Sequence, residues 1–131
     1  MTKPHKIKMF DFAEYPGGRN IKYGPNSGEK FRREVLLPAL RKHDLIEIDI
    51  ARCYTYAPGF VDEITAHVIR AGFLTHAEYC RRISFVSDKE NEFFIKDMFE
   101  KFRDEQEPAA LILQEQQHKE LMDKLVGECD D

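Results

Sequence analysis

The stretch LIEIDIARCYTYAPGFVDEI, residues 45–64, contains the pattern that decides the fold. Ile46, Ile48 and Ile50 alternate with other side chains, two of them acidic, which predicts a strand over 45–50. After a short loop, Pro58 suits the first position of a helix, and apolar residues recur on one face over 58–71. Gly72 suits the end of that helix. A strand that runs through a loop into a helix indicates an α/β protein, and such loops often carry functional groups.

Periodicity along the rest of the chain predicts two more strands and three more helices. The strands are expected over 6–13 and 81–87, and the helices over 28–43, over 89–106 and from Pro108 to about Val126. A fourth strand near 19–23 could pair with the first. The expected fold is α/β: a small mixed sheet of about four strands flanked by helices, with an extra C-terminal helix. We divide the chain into a domain over 1–107 and a C-terminal helix with an acidic tail over 108–131.

The helix expected over 28–43 has a clear start and an uncertain end. Either Asn26 or Ser27 can cap its free amide groups. Pro38 removes a backbone donor and clashes with the preceding turn, which predicts a kink or an early stop.

Composition excludes several classes of protein. The 131 residues are 42% hydrophobic and 34% charged, which is typical of a soluble globular domain. The chain has no apolar run of the roughly 18–20 residues that span a bilayer. Its three cysteines form no C-x-x-C pair, which favours reduced thiols and a cytoplasmic location.

Charge is distributed unevenly along the chain. Residues 1–43 carry ten basic and four acidic side chains, and residues 44–131 carry ten basic and twenty acidic ones. A basic amino-terminal third could mark a nucleic-acid surface. The alternative is that the two parts pack together and mix their charges. We expect the charges to mix, because no basic run exceeds two residues and the chain has no known nucleic-acid motif.

The partial metal and nucleophile patterns are incomplete. Glu63 and His67 are four residues apart on a helix, as are His76 and Cys80 if their segment is helical. A convincing zinc site needs three or four ligands of matched spacing, and neither HExxH nor paired C-x-x-C occurs. Cys53 could act as a nucleophile only with an orienting base that the sequence does not show. We therefore predict no metal, cofactor or catalytic residue.

The loop PGGRNIKYGPNSGEKFRR, residues 16–33, has the composition of an anion-binding loop. Its glycines allow a tight backbone, and it leads cationic side chains to a helix entrance, where Arg19, Lys22 and Ser27 could hold an anion. The P-loop motif G-x-x-x-x-G-K-[ST] is absent from it. The alternative is a hairpin with ordinary turn residues.

Two segments resemble a bacterial family of STAS-like domains of unknown function. They are PGGRNIKYGPNSGEKFRREVLLPAL at 16–40 and IEIDIARCYTYAPGFVDEI at 46–64, and the resemblance covers roughly residues 6–105. STAS domains, such as those of anti-sigma factor antagonists, are usually non-enzymatic and dock onto a protein, in some cases a histidine-kinase-like ATPase. Their switch is a Ser or Thr at a helix entrance that a partner phosphorylates. This chain has Ala57 and Gly59 there, so the resemblance implies a docking platform without the phosphate switch.

The leading hypothesis is a cytoplasmic, non-enzymatic STAS-like module that regulates a protein partner. One alternative is a small enzyme that uses the Arg19 loop and Asp49 in a single pocket. Another is a phage-derived or nucleic-acid-associated inhibitory protein that uses the basic amino-terminal third. For the leading hypothesis, the predicted partner-binding residues are Asp49, Arg52, Tyr54, Thr55, Tyr56 and Asp62.

The C-terminal helix carries two apolar clusters, at 111–113 and 121–126, separated by the polar run QEQQHKE. A helix interrupted in this way seldom buries a continuous stripe on its own domain. We expect at least one cluster to pack against a second copy of the chain or a partner.

Overall fold

The computed structural model describes residues 3–53, 56–87 and 93–129. Over these ranges the chain forms one sheet of three parallel strands, β1 (His5–Lys8), β2 (Ile46–Asp49) and β3 (Ile83–Val86), in the order β1-β2-β3. The central strand is β2, as expected from its isoleucines. Ile7 of β1 is in register with Ile48, and Ile48 with Phe85 of β3.

The described helices follow in chain order. They are α1 (Met9–Phe12), α2 (Gly28–Phe31), α3 (Leu37–Lys42), α4 (Pro58–Ile64), α5 (Ala66–Arg70), α6 (His76–Arg82), α7 (Phe93–Asp104) and α8 (Pro108–Cys129), with a 3₁₀ turn at Ile21–Tyr23 and a π-helical segment at Arg32–Leu36.

One face of the sheet forms the floor of the core. Ile7, Ile48 and Phe85 are buried there, packed with Phe31, Phe60 and other apolar residues of the helices. On the opposite face, the side chains of Lys6, Lys8, Glu47, Asp49, Ser84 and Val86 are exposed or half-buried. Parallel sheets are usually covered on both faces. This open sheet face is therefore an unusual feature of the molecule.

The strand prediction over 6–13 is wrong beyond Lys8, where the chain turns into α1. The strand ends there because its neighbour β2 extends only to Asp49, the residue that pairs with Lys8. Met9 is then buried by the helical turn. The prediction of a fourth strand near 19–23 is also wrong, since Ile21–Tyr23 is a 3₁₀ turn, and the sheet is parallel instead of mixed.

Pro38 is accommodated without a stop. Ser27 caps α2 by accepting a hydrogen bond from the Lys30 amide at 3.2 Å, as predicted. The helix then widens into the π-helical segment before Pro38 and continues as α3 to Lys42. A wider turn relieves the clash between a proline ring and the carbonyl of the preceding turn.

The helix expected over 58–71 is divided at Thr65. Pro58 begins α4, and Gly72, with a φ of 84°, follows the end of α5, both as predicted. The hydroxyl of Thr65 donates to the Val61 carbonyl at 2.6 Å. Such a bond to the preceding turn competes with the backbone ladder and bends helices.

The segment before β3 is helical where a strand was expected to start. Thr75 and Glu78 form a reciprocal capping box that begins α6, and α6 runs to Arg82. Only Ile83–Val86 remains extended.

The last two helices differ in burial. In α7, Phe99 is buried and Ile95, Met98 and Phe102 pack at the edge of the core, whereas Phe94 is 79% exposed. The predicted start of this helix at 89–92 falls outside the described residues. The α8 helix follows the predicted course from Pro108, and every residue over 111–127 is exposed. No helix in the described ranges is both long enough and apolar enough to cross a membrane.

Candidate functional site

A cavity of about 380 Å³ lies on the open face of the sheet, towards the carboxyl ends of the strands. Its walls include Lys6 and Lys8 from β1, Glu47 and Asp49 from β2, and Arg52 from the following loop. Lys6 is in register with Glu47, and Lys8 with Asp49, so opposite charges face each other across the two strands. The cavity thus offers hydrogen-bonding groups of both signs to a polar partner.

The loop after β2 has a strained backbone beside this cavity. The Asp49 carboxylate accepts a hydrogen bond from the Ala51 amide at 2.9 Å, which closes a tight turn. Arg52 follows with a φ of 73°, in the left-handed region that costs a residue with a Cβ about 1–3 kcal/mol. The turn brings Asp49 and Arg52, two of the predicted partner-binding residues, to the same cavity.

The side chain of Tyr56, one of the predicted partner-binding residues, lies in the core. Tyr56 is only 6% exposed, and its ring packs edge-on against Phe99 with 5.1 Å between the ring centroids. Its hydroxyl donates to the Ile50 carbonyl at 2.9 Å. A side chain buried in this way offers no surface to a partner. Tyr54 and Thr55 lie outside the described residues.

The entrance of α4 is covered by the chain's own loop. Ala57 precedes Pro58 without a side-chain cap, and its amide donates to the Pro16 carbonyl at 3.4 Å. A Cβ added to Gly59 would lie 3.3 Å from the Cβ of Arg19. The missing side chains at this junction therefore make room for the loop over 16–19.

A network of ion pairs joins that loop to α4 and α5. Arg19 is paired with Asp62, and Arg70 donates to the same carboxylate at 2.7 and 3.1 Å. Burial alone would raise the pKa of Asp62, but the hydrogen bonds from Arg70 and Arg19 outweigh it and lower that pKa. Asp62 therefore links the loop, α4 and α5 through its ion pairs. Its predicted partner-binding role has no support from this geometry.

The buried part of the network centres on Glu63. Glu63 is 3% exposed, and Arg32 donates to its carboxylate from Nε at 3.3 Å and from a terminal nitrogen at 3.0 Å. His67, one turn later, is 3.8 Å from the same oxygen. Sequence spacing indicated only the pair of Glu63 and His67. Arg32 comes from a helix 31 residues earlier in the chain, so no local pattern could reveal it.

Two of the three residues predicted to bind an anion, Ser27 and Lys22, contact other groups of the chain's own loop and helix. The first three amides of α2 are already paired: Gly28 donates to Gly18, Glu29 donates to Arg19, and Lys30 donates to the hydroxyl of Ser27. Ser27 is fully buried, and Lys22 lies over the ring of Tyr23. The free amides at the start of α2 therefore donate to the loop itself. This supports the alternative that the loop has a structural role.

Three arginines of the amino-terminal third are paired with acids from both parts of the chain. Arg19 and Arg32 contact the carboxylates of α4, and Arg33 pairs with Glu29 at 3.1 Å. This arrangement favours the mixing of charges over a separate basic surface. It also separates the two groups of the enzyme hypothesis, because Arg19 lies at Asp62 while Asp49 lines the cavity at the sheet edge.

Comparisons of the chain with models of protein families, with curated proteins and with solved structures found no match. The STAS-like resemblance therefore rests on the sequence motifs alone.

Proposed function

We propose that this chain is a non-enzymatic interaction module that regulates a protein partner and self-associates through α8. The observation that carries the proposal is the exposure of α8. Seven large apolar side chains on this helix are exposed, among them Leu121 at 59% and Leu113 at 54%. Isolated helices are marginal in water, and most helices in proteins are stabilised by packing an apolar face. An α8 with this many exposed apolar groups therefore needs a surface to cover it.

Five of the seven exposed apolar residues of α8 share one face, and Ile112 and Leu113 lie outside it. Leu121, Met122, Leu125 and Val126 lie at the spacing of neighbours on one side of a helix. Leu111 falls on the same side, because it precedes Met122 by eleven residues, which is three helical turns. Leu113 lies on the other side. We call Leu111, Leu121, Met122, Leu125 and Val126 the α8 face.

A second copy of the chain fits this face in an antiparallel arrangement. The α8 face has one apolar residue at its start, a polar centre that includes His118, and an apolar cluster at its end. Antiparallel pairing places Leu111 of one copy beside the apolar cluster of the other, so the surface is complementary to itself as a two-fold interface requires. Parallel pairing would set Glu115 against Glu115 and bring the two acidic ends together.

The regulated partner is expected at the carboxyl edge of the sheet. Asp49 and Arg52 line the cavity there, and the predicted Tyr54 and Thr55 follow in the chain. The STAS-like resemblance makes a histidine-kinase-like ATPase the candidate class of partner. Control by phosphate at the α4 entrance is not expected, because Ala57 and Gly59 cannot accept a phosphoryl group.

The mass of the protein in solution tests the role of α8. Light scattering coupled to size exclusion should give twice the chain mass for the full chain and the single mass for Leu125→Asp. The matched control is Leu113→Asp, which places the same charge at a similarly exposed leucine on the other side of α8 and should remain a dimer.

Two results would contradict the proposal. One is a full-length chain that remains a monomer at the highest concentration reached. The other is a Leu113→Asp variant that loses the dimer as readily as Leu125→Asp, because the α8 face would then not be the interface.

A further inference from the structure

Three metal-binding side chains meet where α6 packs beside the end of α7. They are His76 and Cys80, one turn apart on α6, and Asp104, the last residue of α7. Nε2 of His76 is 2.9 Å from Oδ1 of Asp104 and 3.5 Å from the sulfur of Cys80. One donor atom from each residue lies within 4.8 Å of the other two.

The cluster does not have the geometry of a cysteine nucleophile. A catalytic triad needs the nucleophile on one imidazole nitrogen and the carboxylate on the other. Here Nε2 of His76 is the closer nitrogen to Cys80 and also the nitrogen that contacts Asp104, so the ring cannot relay a proton between them. Burial also raises the pKa of the Cys80 thiol, which disfavours a free thiolate.

The distances suit a tetrahedral zinc ion better. With Zn–N bonds of about 2.0–2.1 Å and Zn–S bonds of about 2.3 Å, a tetrahedral ion holds its nitrogen and sulfur ligands roughly 3.5 Å apart. His76 and Cys80 have this separation already. The ion would take the place of the proton between His76 and Asp104. Hard cations such as Mg²⁺ and Ca²⁺ prefer all-oxygen sites, whereas a thiolate and an imidazole favour zinc.

A further side chain holds the carboxylate in place. Arg103 donates to Oδ1 of Asp104 at 2.7 Å and to Oδ2 at 3.0 Å. Carboxylates that bind metals are commonly oriented by such hydrogen bonds from outside the ligand set. The side chain of His76 is 16% exposed and that of Asp104 is 49% exposed, so an ion can enter from solvent.

We propose that His76, Cys80 and Asp104 form a zinc site that links α6 to the end of α7, with water as the fourth ligand. The site lies four residues before Pro108, where α8 begins. Bound zinc would therefore fix the base of α8 to the body of the domain. This proposal is independent of whether α8 pairs with a second copy.

Cobalt titration of the purified full chain tests the site. Co²⁺ bound by a cysteine gives a near-ultraviolet charge-transfer band that added Zn²⁺ abolishes. We expect the band in the wild type and in Cys129→Ser, which removes a different thiol, and we expect it to be absent in Cys80→Ser. His76→Gln and Asp104→Asn should weaken cobalt binding by about ten-fold or more.

Thermal unfolding provides a second measurement that does not depend on colour. Zn²⁺ should raise the Tm of the wild type and leave that of Cys80→Ser unchanged, because a ligand stabilises only the state that binds it. The melting curve of metal-free Cys80→Ser shows whether the variant folds. The proposal is overturned if the wild type gives no band and no shift in Tm, or if a folded Cys80→Ser retains both.

Discussion

Gly28 shows how one small residue sets the distance between two elements. A Cβ at this position would lie 2.7 Å from the Cβ of Glu63 and 2.8 Å from the carbonyl oxygen of Phe60. Both distances are shorter than side chains tolerate, and one of the neighbours is backbone. The close approach of α2 to α4 therefore requires glycine here, and it places Arg32 within reach of Glu63.

Gly28→Ala should lower the free energy of unfolding by about 1–3 kcal/mol, because the added methyl group must push α2 and α4 apart. Urea unfolding measures the change. The control is Gly127→Ala in α8, where the new Cβ would meet nothing within 4 Å. That substitution should cause no loss of stability, since alanine is the better helix former. Equal losses in the two variants would rule out the steric explanation.

Tyr56 shows the limit of prediction at this scale. A tyrosine in a loop after a strand could cover the core or face a partner, and the two roles have the same sequence pattern. The structure separates them through contacts that the local pattern does not show: Phe99, from a distant helix, packs against the ring, and the Ile50 carbonyl accepts from the hydroxyl. The cap at Ser27 and the helix start at Pro58 were predictable because they depend only on residues a few positions away.

At the scale of elements, the buried pair of Arg32 and Glu63 joins α4 to the π-helical segment. Both side chains are nearly excluded from water. Removing one partner of a buried pair leaves the other as an uncompensated charge, which costs more than the pair itself contributes.

Glu63→Gln should therefore destabilise the fold by about 3–5 kcal/mol in urea unfolding. The control is Asp97→Asn, which removes the acid of an exposed pair with Lys101 on α7 and should cost less than about 1 kcal/mol. Similar values for the two variants would show that the Glu63 pair is no stronger than a surface pair.

The boundaries of the helices explain which elements sequence could predict. Periodicity indicated helices near 28–43 and 58–71, and both are present. Their interiors depart from a regular helix at Pro38 and Thr65, because a ring without an amide and a hydroxyl each alter the backbone ladder. The start of α6 could have been recognised from T-H-A-E, since Thr75 and Glu78 have the spacing of a capping box.

At the scale of the whole molecule, the ion pairs make stability depend on pH. The pKa of Asp62 is lowered below its ordinary value of 3.8. A carboxylate whose pKa is lower in the folded state stabilises that state above the unfolded pKa of about 3.9, and this contribution is lost as the pH falls through the folded pKa.

Asp62→Asn should be less stable than the wild type at neutral pH and should lose less stability between about pH 5 and about pH 3. Urea unfolding at a series of pH values measures both quantities. Asp123→Asn, at an exposed position of α8, serves as the control and should follow the wild type. Parallel pH profiles for wild type and Asp62→Asn would contradict the assigned role of this carboxylate.

The sequence predicts the central strand of the sheet, but not where the two edge strands begin and end. The isoleucines of β2 alternate and are all buried, so their pattern identified the central strand. The extent of β1 and β3 depends on how far β2 continues, which is information that their own residues do not contain. The cluster of His76, Cys80 and Asp104 could not be predicted for the same reason, because α6 and α7 bring Asp104 to His76 across 28 residues of chain.

The parallel sheet also determines the order in which the chain can fold. Each of its two ladders joins strands about 40 residues apart in sequence, so neither can form as a local hairpin. The entropy of closing two long loops must be overcome before the isoleucines of β2 are covered, which is characteristic of slow-folding topologies. During synthesis, the central strand therefore lacks one neighbour until Ile83–Val86 has left the ribosome.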